Sequence, residues 1–248
     1  MQELIQALLY SIPVWLSAIV ITLAFDRIAP FKRQPVSFSS PRKEVILSLC
    51  LLALTIAISV FISRVSTPLL QTFEKEWPNS SLAYVAWKLF TTGIAFAPFA
   101  AALLIGHQNL TTIGLSRHNL LPSAFLGIIL SIVTVGAFVV VFGRFSSLTT
   151  FSYAHLHYLV AMMLSPGFLE EAIFRGHLQL RLTAWLGARR AWILTAIVFT
   201  IGHFGQSIFG LVSVFILALL FGWIMIKTEN IMGLCIWHGF IDWVWILY

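Results

Sequence analysis

Apolar residues run along this chain in long blocks separated by short polar connectors. Eight blocks read as buried in a bilayer: Leu4–Phe25, Val45–Ser63, Leu82–Gly106, Leu120–Gly143, Tyr158–Arg175, Ala191–Gly205, Ile208–Ile226 and Ile231–Tyr248. A helix needs about 20 apolar residues to cross the hydrocarbon core. The sixth block is short, as a partly re-entrant segment would be. The pattern predicts an all-α fold, a polytopic transmembrane helical bundle of about eight membrane helices. The blocks fill most of the sequence, so residues 1–248 are expected to form a single integral membrane domain. Within it, residues 1–150 read as scaffold spans and residues 151–248 as the core that carries the polar motifs.

Two connectors stand out. Asp26 to Glu44 is rich in proline and serine, which argues against regular structure. Arg64 to Ser81 mixes Leu69, Leu70 and Phe73 with Glu74, Lys75 and Glu76, the composition of a short interfacial helix. Trp243, Trp245 and Tyr248 suit an aromatic belt at the end of the last span. The first span has no basic residue before it, so it reads as a retained span rather than a cleaved signal.

Composition agrees with this pattern. Hydrophobic residues make up 59% of the chain and charged ones 10%, against about a quarter charged in soluble domains. The net charge is +6, and its placement predicts topology. With both termini outside, the inner connectors hold Arg27, Lys32, Arg33, Arg42, Lys43, Arg117, Arg175, Arg181, Arg189, Arg190 and Lys227. Arg64, Lys75, Lys88 and Arg144 fall outside or near an outer end, Lys88 as a snorkelling side chain. The basic groups would meet anionic lipid headgroups. No basic soluble domain exists to carry a nucleic-acid role. Cys50 and Cys235 both lie inside spans, which argues against a disulfide framework. The sequons at Asn79 and Asn109 are too short to carry weight.

Against this background, two adjacent glutamates in a fifth span demand a reason. Glu170 and Glu171 point about 100° apart on a helix. Arg175 lies four residues after Glu171, on the same face, where a charge-assisted pair forms readily. Glu170 has no such neighbour and must be satisfied elsewhere in the bundle. Pro166 and Gly167 loosen the helix just upstream. The bland alternative is a helix ending at the inner interface, with both charges solvated. His203 sits inside the sixth span, and His238 and Asp242 share one face of the eighth. Each histidine alone suits a packing role. His177 fits an ordinary interfacial role, and His155 and His157 lie outside the chemistry.

Glu170, His203, His238 and Asp242 are therefore expected to meet in one cavity, in the inner half of the membrane. That group suits hydrolysis. A carboxylate can act as general base on water, an imidazole can share its proton, and a second can donate to an oxyanion. A divalent metal such as zinc, held by the same four residues, is the alternative. The shorter water route to Glu170 would come from the inner side, near Arg175, Arg181, Arg189 and Arg190. The chain lacks H-E-x-x-H, G-x-S-x-G and G-x-G-D, the landmarks of metallo, serine and aspartyl schemes.

Three motifs in order resemble the CPBP family of intramembrane endopeptidases. That family includes the type II CAAX prenyl endopeptidase and the bacterial abortive-infection and bacteriocin-immunity proteins. The motifs are Glu170-Glu171-Ala172-Ile173-Phe174-Arg175, Phe199-Thr200-Ile201-Gly202-His203 and His238-Gly239-Phe240-Ile241-Asp242. Ile113 to Arg117 is a weaker likeness. The resemblance implies a glutamic-type membrane protease. Glu170 would activate water, His203 would assist, His238 would stabilise the oxyanion, and Glu171 and Arg175 would hold the site together. Asp242 stands where the prenyl endopeptidases have asparagine, which leaves the metal alternative open. No cofactor is required on this reading.

The expected function is an intramembrane peptidase that hydrolyses a membrane-tethered or lipid-anchored peptide. The competing readings are a non-catalytic immunity or binding protein of the same fold and a proton-coupled transporter. The transporter would show repeated halves, which the sequence lacks. The expected partners are membrane lipids and the peptide substrate, with no nucleic acid. The membrane would be the plasma (inner) membrane in a bacterium or the endoplasmic reticulum in a eukaryote.

Overall fold

A computed structural model describes residues 2–32, 36–76, 81–143 and 153–247, and side chains over residues 10–32, 36–65, 82–143 and 153–245. Arg33, Asn79, Arg144 and Tyr248 lie outside the described residues, as do the side chains of Glu74, Lys75 and Glu76. Eight helices follow one another among those described. They are α1 (Gln2–Ile28), α2 (Pro41–Glu76), α3 (Ser81–Ile105), α4 (Leu120–Phe142), α5 (residues 153–186), α6 (Ala188–Gly202), α7 (Ile208–Thr228) and α8 (Met232–Leu247). The described residues contain no strand; Phe204 and Gln206 share one isolated bridge. The fold is all-helical, as hydropathy predicts.

Helices α1, α2, α3, α4 and α7 are long and apolar enough to cross a membrane. Leu16, Phe61, Leu104 and Ile132 stand exposed on four of them, an arrangement that suits contact with lipid tails. The connector after the second span does not form a separate interfacial helix. The backbone of α2 continues through it to Glu76, and the stretch contains no glycine to stop it. The sixth span ends at Gly202, just before His203, and the chain turns through Gly205 (φ 117°) into α7.

The fifth helix departs most from the sequence expectation. It runs well beyond Arg175, to Leu186, so Glu170 lies mid-helix rather than near an inner end. Two of the four arginines that suggested a boundary, Arg175 and Arg181, are paired inside the protein, while Arg189 and Arg190 are exposed. Arg175 pairs with Glu171, and Arg181 Nε lies 3.0 Å from Glu44 Oε2, at the start of α2. Arg181 also donates to the backbone carbonyls of Thr112 and His177 and to the side chain of Gln108. Its guanidinium lies over Phe38. Satisfied in this way, a charge no longer forces the chain out of the membrane.

This helix also divides the core. Ala161, Met162 and Ala172 join an apolar cluster built with α1, α4, α7 and α8. Ile173, Phe174, Leu178 and Leu182 join a second cluster built with α2, α3, α6 and α7. The glutamates therefore sit where the two clusters meet.

Helices α4 and α8 approach backbone to backbone. A Cβ on Gly233 would lie 2.1 Å from the Ser123 carbonyl oxygen, and one on Gly127 would lie 2.3 Å from that of Gly233. Small residues at such crossings permit dense contact between helices in lipid. Gly233→Ala is expected to destabilise the bundle by about 1–3 kcal/mol through overpacking. Gly136→Ala, on the exposed side of α4 with open space around it, serves as the near-neutral control. Thermal melts of both variants in one detergent check this; equal midpoints would contradict the close crossing.

Candidate active site

The middle of α5 is wound more widely than an α-helix. Met163–Glu170 and Ala172–Gln179 both form π-type turns. Pro166 lies in the first of them; it lacks an amide hydrogen and crowds the carbonyl four residues back, and a wider turn relieves both problems. Ser165 and Thr92 of α3 are joined by a 2.8 Å hydroxyl contact. The absent side chain of Gly167 admits α8, since a Cβ there would lie 2.5 Å from the Cys235 carbonyl oxygen.

The two glutamates are used differently. Glu171 is fully buried. Its Oε1 accepts from Arg175 Nη1 at 3.0 Å and from His238 Nδ1 at 2.8 Å. Arg175 is also fully buried, with its guanidinium carbon 4.2 Å from the Phe199 ring centre and 5.3 Å from that of Phe221. Those ring faces supply electrostatic stabilisation that two of its nitrogens, Nε and Nη2, do not obtain from hydrogen bonds. The expected Glu171–Arg175 pair is present, with His238 as a third member that spacing did not announce.

Glu170 faces a cavity of about 560 Å³ whose wall also includes His203. Its Oε2 is buried and receives no hydrogen bond from the protein. His238, Asp242, His203 and Glu171 all lie within its electrostatic reach. The four expected residues thus come close together from three helices, although His238 and Asp242 are not part of the cavity wall. His203 Nδ1 lies 2.9 Å from the Phe199 carbonyl oxygen, one turn back. Nδ1 must donate there, which leaves Nε2 for the cavity. His238 Nε2 and Asp242 Oδ2 are 3.8 Å apart, beyond a direct hydrogen bond. Tyr84 of α3 lies within electrostatic reach of both Asp242 and Tyr158.

The cavity does not extend toward the inner side, as the arginines had suggested. It is a cleft between α2, α3 and α5. Its wall runs from Leu52 and Phe96 up to Ser63 and Lys88, away from the Arg181–Glu44 end. The physical reason is that Arg175 and Arg181 are locked into ion pairs and packing, so they line no water path.

Among the described residues, no three of His, Cys, Asp and Glu are gathered so as to hold a metal ion. Glu171 Oε1 and His238 Nδ1 are engaged with each other and with Arg175. His177 is buried, hydrogen-bonded to Ser48 and edge-on to Phe99, rather than interfacial.

Residues 151–244 match the family model described as type II CAAX prenyl endopeptidase, Rce1-like. This segment is similar to that family. The Rce1-like segment takes in Glu170, Glu171, Arg175, His203, His238 and Asp242, and leaves residues 1–150 outside. No curated protein and no solved structure matches the chain. With its five apolar helices, a chain carrying this segment is an integral membrane protein.

The Rce1-like segment does not build the site alone. Lys88, Thr91 and Thr92 of α3 and Thr55 and Ser59 of α2 form part of the cavity wall. Sequence reasoning missed these hydroxyls, because a serine or threonine can bond its own helix in any span, although Thr55 donates instead to the Ala95 carbonyl of α3. Thr92 does bond its own helix, donating to the Lys88 carbonyl. Phe199 was noted only as part of a motif. Its role as the ring under Arg175 is readable solely from packing.

Proposed function

We propose that this protein is an intramembrane endopeptidase that cleaves a membrane-tethered peptide by glutamate-activated water. The match of its C-terminal segment to the Rce1-like family model supports endopeptidase activity in general. One observation carries the finer reading. Glu170 presents an oxygen without a protein donor beside a cavity that also contains His203, while Glu171 is occupied by Arg175 and His238.

The division of labour follows from these contacts. Glu170 takes a proton from a water in the cavity, and that water attacks the scissile carbonyl. His203, held by the Phe199 carbonyl, offers Nε2 to orient the same water. Glu170 then delivers the proton to the departing amine. His238 is fixed by Glu171 at Nδ1; outside the cavity wall, its ring, when protonated, favours the developing oxyanion through its charge. Asp242, 3.8 Å from Nε2 on the next turn of α8, adds negative charge beside that ring without a direct hydrogen bond. Apolar residues in the wall, among them Leu52, Phe96 and Phe174, lower the local polarity, which strengthens each of these interactions.

The family's name makes prenylated CAAX peptides the first substrates to test. The full chain, reconstituted in proteoliposomes, should cleave such a peptide at a defined bond read by mass spectrometry. Binding without cleavage would instead support the non-catalytic reading. On the same preparation, a chelator is expected to leave turnover unchanged, because no ligand set is gathered. Loss of activity restored by a divalent ion would replace the glutamate mechanism with a metal one.

A further inference from the structure

Asp242 has an open face that the cleft beside Glu170 does not account for. Its side chain is 35% exposed, yet among the described residues no residue of α8 lines that cleft. A carboxylate turned toward lipid tails is costly, so the space in front of Asp242 is a place for water.

Three helix ends surround that space. Tyr84 of α3 and Tyr158 of α5 meet edge to face with ring centres 5.1 Å apart, and Tyr84 lies within electrostatic reach of Asp242. A phenol suits such a wall, with its ring against apolar neighbours and its hydroxyl toward water. Asp242 is about 7 Å along the axis from the end of α8 at Leu247. Tyr84 and Tyr158 are as close to the first residues of their own helices, Ser81 and Tyr153. Nearby, the Trp243 indole donates to the His155 carbonyl at 2.9 Å and ties α8 to α5. The contacts Tyr84–Tyr158 and Thr92–Ser165 close the seam between α3 and α5. Helix α2 packs on α3 and α8 packs on α5, so the cleft lies on one side of this seam and Asp242 on the other. Inward from Asp242 the next polar atom is His238 Nε2, 3.8 Å away, and Glu170 is within electrostatic reach of both residues.

We propose that α3, α5 and α8 enclose a second opening, lined by Tyr84, Tyr158 and Asp242, through which water reaches His238 and Glu170 while the peptide occupies the cleft between α2, α3 and α5. This rests on the peptidase reading above, in which each cleavage consumes one water. A peptide that fills the cleft covers the approach to Glu170 from the α2 side. An entrance on the α8 side resupplies the nucleophile without release of the peptide. Tyr84 belongs to α3, outside the segment that matches the family model, so the first half of the chain contributes to this entrance as well as to the cleft.

The test reads water access with a charged, water-soluble methanethiosulfonate reagent on the full chain in proteoliposomes. The exposed Cys50 is first replaced by serine, and labelling of that background is subtracted. Tyr84→Cys and Tyr158→Cys are compared with Phe90→Cys and Val160→Cys, at exposed apolar positions of the same two helices. The reagent attacks the thiolate, which forms in water and not among lipid tails, so the first two should react roughly tenfold faster or more. Reaction no faster than at the two controls overturns the opening and leaves the peptidase reading standing. Should Tyr84→Cys fail to fold, Tyr158→Cys carries the same comparison. Addition of Glu170→Gln then allows a prenylated CAAX peptide to stay bound uncleaved. The peptide should slow labelling of Ser59→Cys on the cleft wall by roughly tenfold and leave that of Tyr158→Cys unchanged. Equal protection of both would make the two spaces one and overturn the proposal. In the cleaving protein, the reagent attached at Tyr158→Cys should lower kcat by roughly tenfold with little change in KM; an unchanged kcat overturns the water route. If the wild type cleaves no peptide, the peptidase reading fails separately. The two tyrosine positions still decide the opening by their labelling rates, fast reaction supporting it and slow reaction refuting it.

Discussion

Glu170→Gln is expected to lower kcat by about 10²–10⁴-fold, the usual cost of losing a general base, while the protein inserts, folds and binds its peptide normally. The substitution keeps the shape of the side chain and removes only its capacity to accept a proton from water. Among the described residues nothing donates to Glu170 Oε2, so no hydrogen bond to that oxygen depends on its charge. The cavity wall made by His203, Ser165 and Thr92 stays as it is. The variant should therefore separate binding from turnover: KM near the wild-type value, kcat collapsed, melting point unchanged. Cleavage at the wild-type rate by a folded Glu170→Gln protein would sink the mechanism. His203→Gln, which loses a water-orienting nitrogen rather than the base, should be the milder of the two.

Glu171→Ala should fail in a different way, through stability. Arg175 is fully buried, and among the described residues Glu171 is its hydrogen-bond acceptor, at 3.0 Å. The same oxygen fixes His238. Removing one partner of a buried ion pair leaves an uncompensated charge, a loss of about 3–5 kcal/mol. The rings of Phe199 and Phe221 recover only part of it. The expected result is a large drop in melting temperature in detergent, or failure to accumulate as folded protein. Glu171→Gln keeps an acceptor for both donors and gives up the charge, so it should be less stable than the wild type yet lose less turnover than Glu170→Gln. The double variant Glu171→Leu/Arg175→Leu should regain stability relative to Glu171→Ala, because it removes the stranded cation along with its partner. An unaltered melting point for Glu171→Ala would show that Arg175 finds its counter-charge elsewhere.

Much of this protein was legible in its sequence, for a simple physical reason. A chain in lipid must satisfy its backbone within each helix, so long apolar runs leave helices as the only form available. Hydropathy therefore located each of the eight helices. The cost of an ionisable group in hydrocarbon did the same for chemistry: it singled out Glu170, His203, His238 and Asp242 as residues that need partners. The fixed geometry of the helix, with i and i+4 on one face, paired Glu171 with Arg175 before any coordinates.

What sequence reading lacked was the identity of partners from other helices. Arg175 and Arg181 looked like the inner edge of a span because an isolated arginine belongs at an interface. Packing against Glu171, Phe199 and Glu44 let the helix carry them inward to Leu186. That one change moved Glu170 to mid-helix and turned its cavity toward Ser63 and Lys88.

By itself, then, the sequence determined the helical class, the approximate spans and the short list of ionisable residues, because each follows from local periodicity or from the cost of charge in lipid. The tertiary structure alone decided which glutamate is occupied and which faces open space. It also decided that α2 and α3 complete the cavity and that Lys88 shares it with Glu170. Those outcomes depend on how helices far apart in sequence meet, and an interhelical contact has no signature along a single chain.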